Sequence, residues 1–302
     1  SQFYPDGSYK ELSNHYQRVV LVNAQYFIRL IRHLDPDYGR LPVIERIEKM
    51  WNFFAVVTKP DGSGPLNNAS DREANTAFIK DVLPFYDRPD WRYIATRGRE
   101  GVPPDGSPSR LFPWAGQAIL RNGWSSGADW VYFDAGPYGS AHQHVDRLHV
   151  SASLRGRPIL VDNGRYTYRP GLWRDYFKGP EGHNVLLLDG RPAEQGPRSV
   201  ATPLPVLMED RPQGVVAAAS SFFRIKAAAG LPGFEAQVPW TRAVLLDQHG
   251  FLLIIDHLVT FSGHDLSARW HFHPDVAVAE AISLLELTHY PDGPVHMETL
   301  HG

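Results

Sequence analysis

Hydrophobic and polar residues follow two different periods along this chain, and the change falls near residue 100. From Glu11 to Leu34 the residues Leu12, Tyr16, Val19, Val20, Phe27, Leu30, Ile31 and Leu34 recur at helical spacing, which predicts an amphipathic helix. Asp35-Pro36-Asp37 and Gly39 stop it. After Pro42, the stripe Val43, Ile44, Ile47, Met50, Trp51 and Phe54 predicts a second helix. A third is expected from near Asp71 to about Leu83, and a short one over Asp90 to Thr96. The intervening Thr58–Asn68 stretch, built on Pro60-Asp61-Gly62, reads as a loop, with Asn67-Asn68 leading into a helix cap.

Gly98 to Arg110 is rich in Pro and Gly and reads as a linker. Beyond it, short Val-, Ile-, Phe- and Tyr-rich runs alternate with turn residues: 118–120, 130–133, 148–154, 158–161, 185–188, 215–218, 243–246, 251–256 and 268–273. Many short strands with turn signals between them predict antiparallel sheets packed as a sandwich. The expected organisation is an α-helical domain over residues 1–105 and an antiparallel β-sandwich over residues 106–302.

Composition narrows the functional classes. A net charge of −3, from 30 basic and 33 acidic residues, argues against a broad nucleic-acid surface. No apolar run approaches the ~20 residues needed to cross a bilayer, so no membrane partner is expected. The absence of cysteine excludes disulfides and thiolate chemistry, so any metal must be held by His, Asp, Glu or backbone oxygen. Aromatic residues make up 12% of the chain, which suits a sugar-stacking cleft and a sandwich core equally. The N-terminus, Ser1-Gln2-Phe3-Tyr4-Pro5, lacks an initiator Met and the basic and apolar regions of a signal peptide, so a processed or partial chain is expected.

The fourteen histidines carry the sharper signal. Within Asp134–Asp146, a strand beginning at His142 would project His142, His144 and Asp146 from one face. Asp162 ends the next predicted strand and His183 opens the one after. His142, His144, Asp162 and His183, each at a strand end, predict a functional cluster, with a third ligand completing an open zinc-type site on the two histidines. Asn14 and His15 head the first helix, where capping is their ordinary role. Tyr166, Tyr168, Trp173-Arg174-Asp175-Tyr176 and Phe177 form an aromatic and basic stretch leading to His183. Trp270-His271-Phe272-His273-Pro274 repeats the His-x-His spacing and reads as structural. No segment fits a phosphate loop or a Gly-x-Ser-x-Gly elbow.

From Tyr132-Phe133-Asp134-Ala135-Gly136 through Ala141-His142-Gln143-His144-Val145-Asp146 to Leu160-Val161-Asp162-Asn163-Gly164 and Gly182-His183-Asn184-Val185, the chain resembles the heparinase II/III-like polysaccharide lyases, a family with alginate lyases among its relatives. Pro5-Asp6-Gly7 and Glu11-Leu12-Ser13-Asn14-His15-Tyr16 resemble the family's helical segment. The resemblance implies an incomplete α/α toroid followed by an antiparallel β-sandwich, with the active cleft between them. It implies zinc held by His144, Asp162 and His183, with His142 facing substrate. Asn14 and His15 would meet a uronate carboxylate, and Tyr168 and Arg174 would contact the sugar. The substrate would be an acidic polysaccharide or oligosaccharide, and the compartment periplasmic or extracellular.

β-Elimination beside a uronate removes the C5 proton, which requires the carboxylate charge to be neutralised, a base, and an acid for the departing O4. In the family a Tyr commonly serves as base and acid, on a helix downstream of the His15 position. This sequence departs there, with no Tyr between Tyr38 and Tyr86, so Tyr176, Tyr168, His15 and His142 are the candidates. Two other readings compete: a catalytically degenerate, metal-bearing carbohydrate-binding protein, and a metal-dependent oxygenase on a His-x-His site.

Overall fold

The computed structural model describes residues 2–226, 235–260 and 263–276. The fold is α plus β. Helices α1 (Asn14–Leu34), α2 (Pro42–Val56), α3 (Asn75–Val82) and α4 (Pro89–Ala95) precede the strands, close to the predicted spans. Pro42 and Pro89 sit in the first turns of α2 and α4, where the missing N–H costs nothing and the fixed φ suits the helix. The helices pack around Trp51, whose ring lies 4.9 Å from Phe78 and 6.2 Å from Trp91.

Helix α1 departs from its sequence pattern. It buries Gln17, Leu21, Gln25 and Ile28, while Leu30 and Leu34 are 62% and 70% exposed. Gln17 is buried because its amide is fully used: Nε2 donates to the carbonyls of Gly7 and Met50, and Oε1 accepts from the Tyr9 N–H. A polar side chain thereby joins the N-terminal loop to α2, a pairing that apolar periodicity does not signal.

Strands β1 (Arg110–Phe112), β2 (Gln117–Arg121), β3 (Trp130–Asp134), β4 (His149–Leu154) and β5 (Arg157–Leu160) form one antiparallel sheet in sequential order. Helix α5 (Leu172–Lys178) and strands β6 (Leu186–Leu188) and β7 (Arg191–Pro192) follow. A second sheet orders as β11-β10-β9-β8, from β8 (Leu207–Arg211), β9 (Gly214–Lys226), β10 (Glu235–Asp247) and β11 (Leu252–Leu258). β12 (Leu266–Ala268) pairs with β6. One face of the first sheet (Leu120, Val131, Phe133, Val150) shares a core with Phe223, Trp240 and Val244 of the second. Its other face (Ile119, Trp130, Tyr132) packs on Leu12, Phe53 and Val57 of the helical layer. The first sheet is therefore covered on both sides, which is why β2 and β3 are buried along their whole length.

Three expectations need correction. Residues 142–148 are not strand: β4 begins at His149, and His142 has left-handed backbone with φ +58°. The shared-face argument for His142, His144 and Asp146 therefore fails. The strand predicted over 268–273 is reduced to β12 and a single bridge from Phe272 to Leu160. Strands β9 and β10 each run to 13 residues, far longer than predicted, because Ala217–Ser221 and Pro239–Arg242 lack the apolar alternation that marks a strand. The expected sandwich beyond residue 276 lies outside the described residues.

Candidate active site

The loop at 61–75 clamps the two layers together. The Asn67 Nδ2 donates to the Leu12 carbonyl and the Tyr132 hydroxyl, and the Asn68 Nδ2 also donates to Leu12. On the other side, the Asn68 Oδ1 accepts the His144 N–H at 2.9 Å, and the Ala69 N–H donates to the His142 carbonyl at 3.0 Å. The start of α1 and the histidine segment are thus fixed against each other through the side chains of Asn67 and Asn68 and the Ala69 backbone.

Asn14 is buried at that junction. Its carboxamide exchanges hydrogen bonds with Asn75, at 3.0 and 3.3 Å, and Gly64 packs on it with no room for a Cβ. Asn75 in turn donates to the Thr58 hydroxyl. This arrangement takes the Asn14 oxygen and one of its two amide protons. His15 is partly exposed, with Nδ1 3.2 Å from the Glu73 carboxylate.

Four aromatic rings meet over this start. The Tyr16 ring stacks on His142, with centroids 3.7 Å apart and planes at 15°. His15 meets the Tyr16 ring edge-on at 4.9 Å, so His15 and His142 flank Tyr16. Tyr168 approaches His142 edge-on at 6.2 Å, and its hydroxyl is 2.7 Å from that of Tyr16. The guanidinium groups of Arg165 and Arg174 lie over the Tyr168 ring at 4.8 and 5.0 Å. The His142 Nδ1 is 2.7 Å from the Glu11 Oε2. A carboxylate only accepts, so Nδ1 carries a proton, and in the tautomer this selects the lone pair is on Nε2.

Tyr176, on α5, belongs to a neighbouring pair. The Asn184 Nδ2 donates to the carbonyls of Val150 and Val161, so its Oδ1 accepts from the His271 Nδ1 at 3.2 Å. That leaves the His271 Nε2 to accept from the Tyr176 hydroxyl at 3.3 Å.

Behind the stack lies a buried histidine and aspartate cluster. His149, Asp162 and His183 offer ligand atoms within 4.8 Å of one another, a set that could hold a metal ion. His144 adjoins it, with its ring 5.3 Å from that of His183. The two flanking histidines differ in what is free. The His149 Nδ1 accepts from the Asn184 N–H at 3.0 Å, so Nε2 is the protonated nitrogen and donates to the Ser151 hydroxyl at 2.7 Å. Both nitrogens of His149 are therefore engaged. The His183 Nδ1 lies 3.3 Å from the Asp162 Oδ1 and the His149 Nε2 3.4 Å from the Asp162 Oδ2, whereas both nitrogens of His144 and the His183 Nε2 are buried without a hydrogen bond. Buried polar atoms left unpaired are costly, and a cation is the partner that would satisfy this donor set.

The electrostatics agree. Burial, aided by His183, lowers the His144 pKa to about 3 and keeps the ring neutral. Burial alone would raise the Asp162 carboxyl, but His183 and His149 outweigh it and hold Asp162 well below the carboxylate range. Burial opposes charge on His183 as well, yet Asp162 raises its pKa. Asp146 is different: burial, with Asp134 and Asp162 adding, raises its pKa far above the ordinary value.

Periodicity did not reveal Glu11, Tyr16, Asn75, His149 or His271. His149 had a readable sign, since His149, Ser151 and Ser153 make one polar row in an otherwise apolar strand. Glu11 and Asn75 had none, because their partners are distant in sequence.

A profile of the heparinase II/III-like C-terminal family matches residues 104–296, more than half of the 302. A heparin-sulfate lyase of Bacteroides thetaiotaomicron is 27% identical over 215 residues, covering 62% of this chain and 30% of that protein. Among solved structures, the heparan sulfate lyase of Pedobacter heparinus has a TM-score of 0.74 at 19% identity, covering 91% of this chain and 42% of that one. A heparinase III has a TM-score of 0.69 at 21% identity, with 88% and 40% covered. The chain thus spans less than half the length of these relatives.

Proposed function

The chain belongs to the heparinase II/III-like family, and from that premise we propose that it takes part in cleaving a uronate-containing acidic polysaccharide by β-elimination. The observation that carries this reading is the stack of Tyr16 from the helical layer on His142 from the sheet layer, flanked by His15. In this reading α1–α4 are part of an incomplete α/α toroid forming one domain to about residue 105, and a uronate sits between it and the sandwich. The free amide proton of Asn14 and the His15 ring meet the carboxylate and stabilise the enolate-like transition state. His142, oriented by Glu11, takes the C5 proton at Nε2. Tyr168, Arg174 and Tyr176, whose proton is already shared with His271, contact the sugar along the rim. On this reading the protein would act in the periplasm or outside the cell, where it would meet such a polymer.

Zinc suits the buried donor set of His144, Asp162 and His183, two imidazoles that each keep an unengaged nitrogen and an ionised carboxylate between them. A bound zinc ion would supply a fixed positive charge that holds the His142–His144 segment in place. His149 would support Asp162, to which its Nε2 lies within 3.4 Å. Removing a ligand tests the set: His144→Ala is expected to lose metal on dialysis, whereas His149→Gln retains it with weakened affinity, by about 10–100-fold. Metal analysis of both variants checks this, and full metal content in His144→Ala would remove His144 from the ligand set.

Metal uptake should also release protons in a defined way. His144 is neutral and Asp162 ionised before binding, and only His183, with its raised pKa, holds a proton that metal must displace. Calorimetry in buffers of different ionisation enthalpy is expected to count close to one proton per ion when the pH lies below the His183 pKa. The count falls towards zero as the pH rises through that value.

The lyase reading is tested by following ultraviolet absorbance of a 4,5-unsaturated uronate with heparan sulfate, then alginate. A rise with at least one polymer is expected. Binding of these polymers without any rise would instead identify a carbohydrate-binding protein.

A further inference from the structure

We propose that Tyr16 is the proton donor to the departing glycosidic oxygen, with Tyr168 as its link to solvent. This rests on the lyase reading above and assigns the acid that this reading leaves open. Tyr16 lies in the first turn of α1, so its ring position is fixed by the same Asn67, Asn68 and Ser13 contacts that hold the helix start. Its ring covers one face of His142 at 3.7 Å. The stack holds the imidazole and the phenol in direct contact, so a base on one ring and an acid on the other lie within reach of a single sugar bond.

The hydroxyl network supports donation over abstraction. The Tyr16 hydroxyl has the Tyr168 hydroxyl as its near neighbour at 2.7 Å, and Tyr168 is 46% exposed. Burial pushes the Tyr16 pKa up to about 12, and the Tyr168 hydroxyl adds to this, against a smaller pull from Arg165. A phenol held protonated is poorly suited to remove a proton from carbon but remains able to deliver one to a developing alkoxide. The charged groups around the pair are Glu11 on the preceding loop, Glu73 and Asp71 on the clamp, and Arg165 and Arg174 beside Tyr168.

The electrons and protons balance without a further reactant. The base removes the C5 proton, and the C5–H pair becomes the C4–C5 double bond. The C4–O4 bond breaks with its pair going to O4. O4 takes the Tyr16 proton, and the Tyr16 phenolate is reprotonated from water through Tyr168. The base returns its proton to water, so the enzyme ends as it began.

The test separates the two proton transfers with the full chain and heparan sulfate or alginate, whichever polymer is cleaved. Tyr16→Phe removes one hydroxyl and keeps the ring that stacks on His142. In deuterium oxide this variant is expected to lose elimination about 10²-fold or more, with KM within about twofold, while deuterium still enters at C5. Tyr168→Phe is expected to slow turnover less, because water can replace a relay. Turnover within about threefold of the unsubstituted protein in Tyr16→Phe overturns the proposal. Loss of C5 exchange together with elimination also overturns it, since Tyr16 is then the base or a scaffold. Failure of the lyase reading itself is distinguishable, because the unsubstituted chain would then form no unsaturated product.

Discussion

Replacing Arg242 with methionine is expected to cost the folded protein about 3–5 kcal/mol. Arg242 is fully buried on β10, between the rings of Trp240 and Trp270, with its guanidinium carbon 5.1 Å from each. It makes a two-pronged pair with Asp256 at 2.8 and 2.9 Å, and its remaining nitrogen donates to the carbonyls of Leu148 and Asn184 at 2.8 Å. Methionine fills similar space but leaves an aspartate and two carbonyls without that partner. Those carbonyls adjoin His149 and His183, so loss of the guanidinium should also loosen the proposed metal cluster. Urea unfolding read by tryptophan fluorescence checks the stability, and metal titration checks the second effect. A loss below about 1 kcal/mol would mean that water replaces the guanidinium, and that the sandwich does not depend on this junction.

Asn14→Ala is expected to lower the rate of elimination by about 10²–10³, the usual consequence of deleting one donor to a developing oxyanion. The substitution also strands the Asn75 carboxamide, which is completely buried, so a stability loss of about 1–3 kcal/mol should accompany it. The two effects separate by temperature: the rate deficit persists well below the unfolding transition, where the folded population is complete. Steady-state kinetics together with calorimetry of the same variant measure both. If turnover falls only in proportion to the unfolded fraction, Asn14 is a structural residue, and the carboxylate is met by other donors.

How much of this was legible depends on the range of the interaction. Pro42, Pro89 and the apolar stripe of α2 announce their helices because the signal is local. The lyase resemblance brought His142, His144, Asp162 and His183 forward together, and they do lie in one region, although the strand invoked to align the first two does not exist. What failed was side-chain facing. The apolar stripe read along α1 is the exposed one at Leu30 and Leu34, because Gln17 finds three partners beneath the helix and apolar periodicity counts no hydrogen bonds. Helix α5 escaped because its seven residues are too few to display a period and include no buried face. Glu11, Asn68 and Asn75 act through partners far away in sequence, so only the assembled fold shows them.

The left-handed backbone at His142 bears on how this site withstands change over generations. Histidine tolerates that conformation better than a branched residue, yet glycine and asparagine adopt it more easily. Drift that favours a sturdier fold therefore pulls this position towards residues that carry no imidazole. Holding a histidine there is a standing tax, met only where the histidine is used. If His142 is the base proposed above, a lineage that abandoned the chemistry would be expected to relax at this residue early, while the buried His144, Asp162 and His183 behind it persist as part of the core.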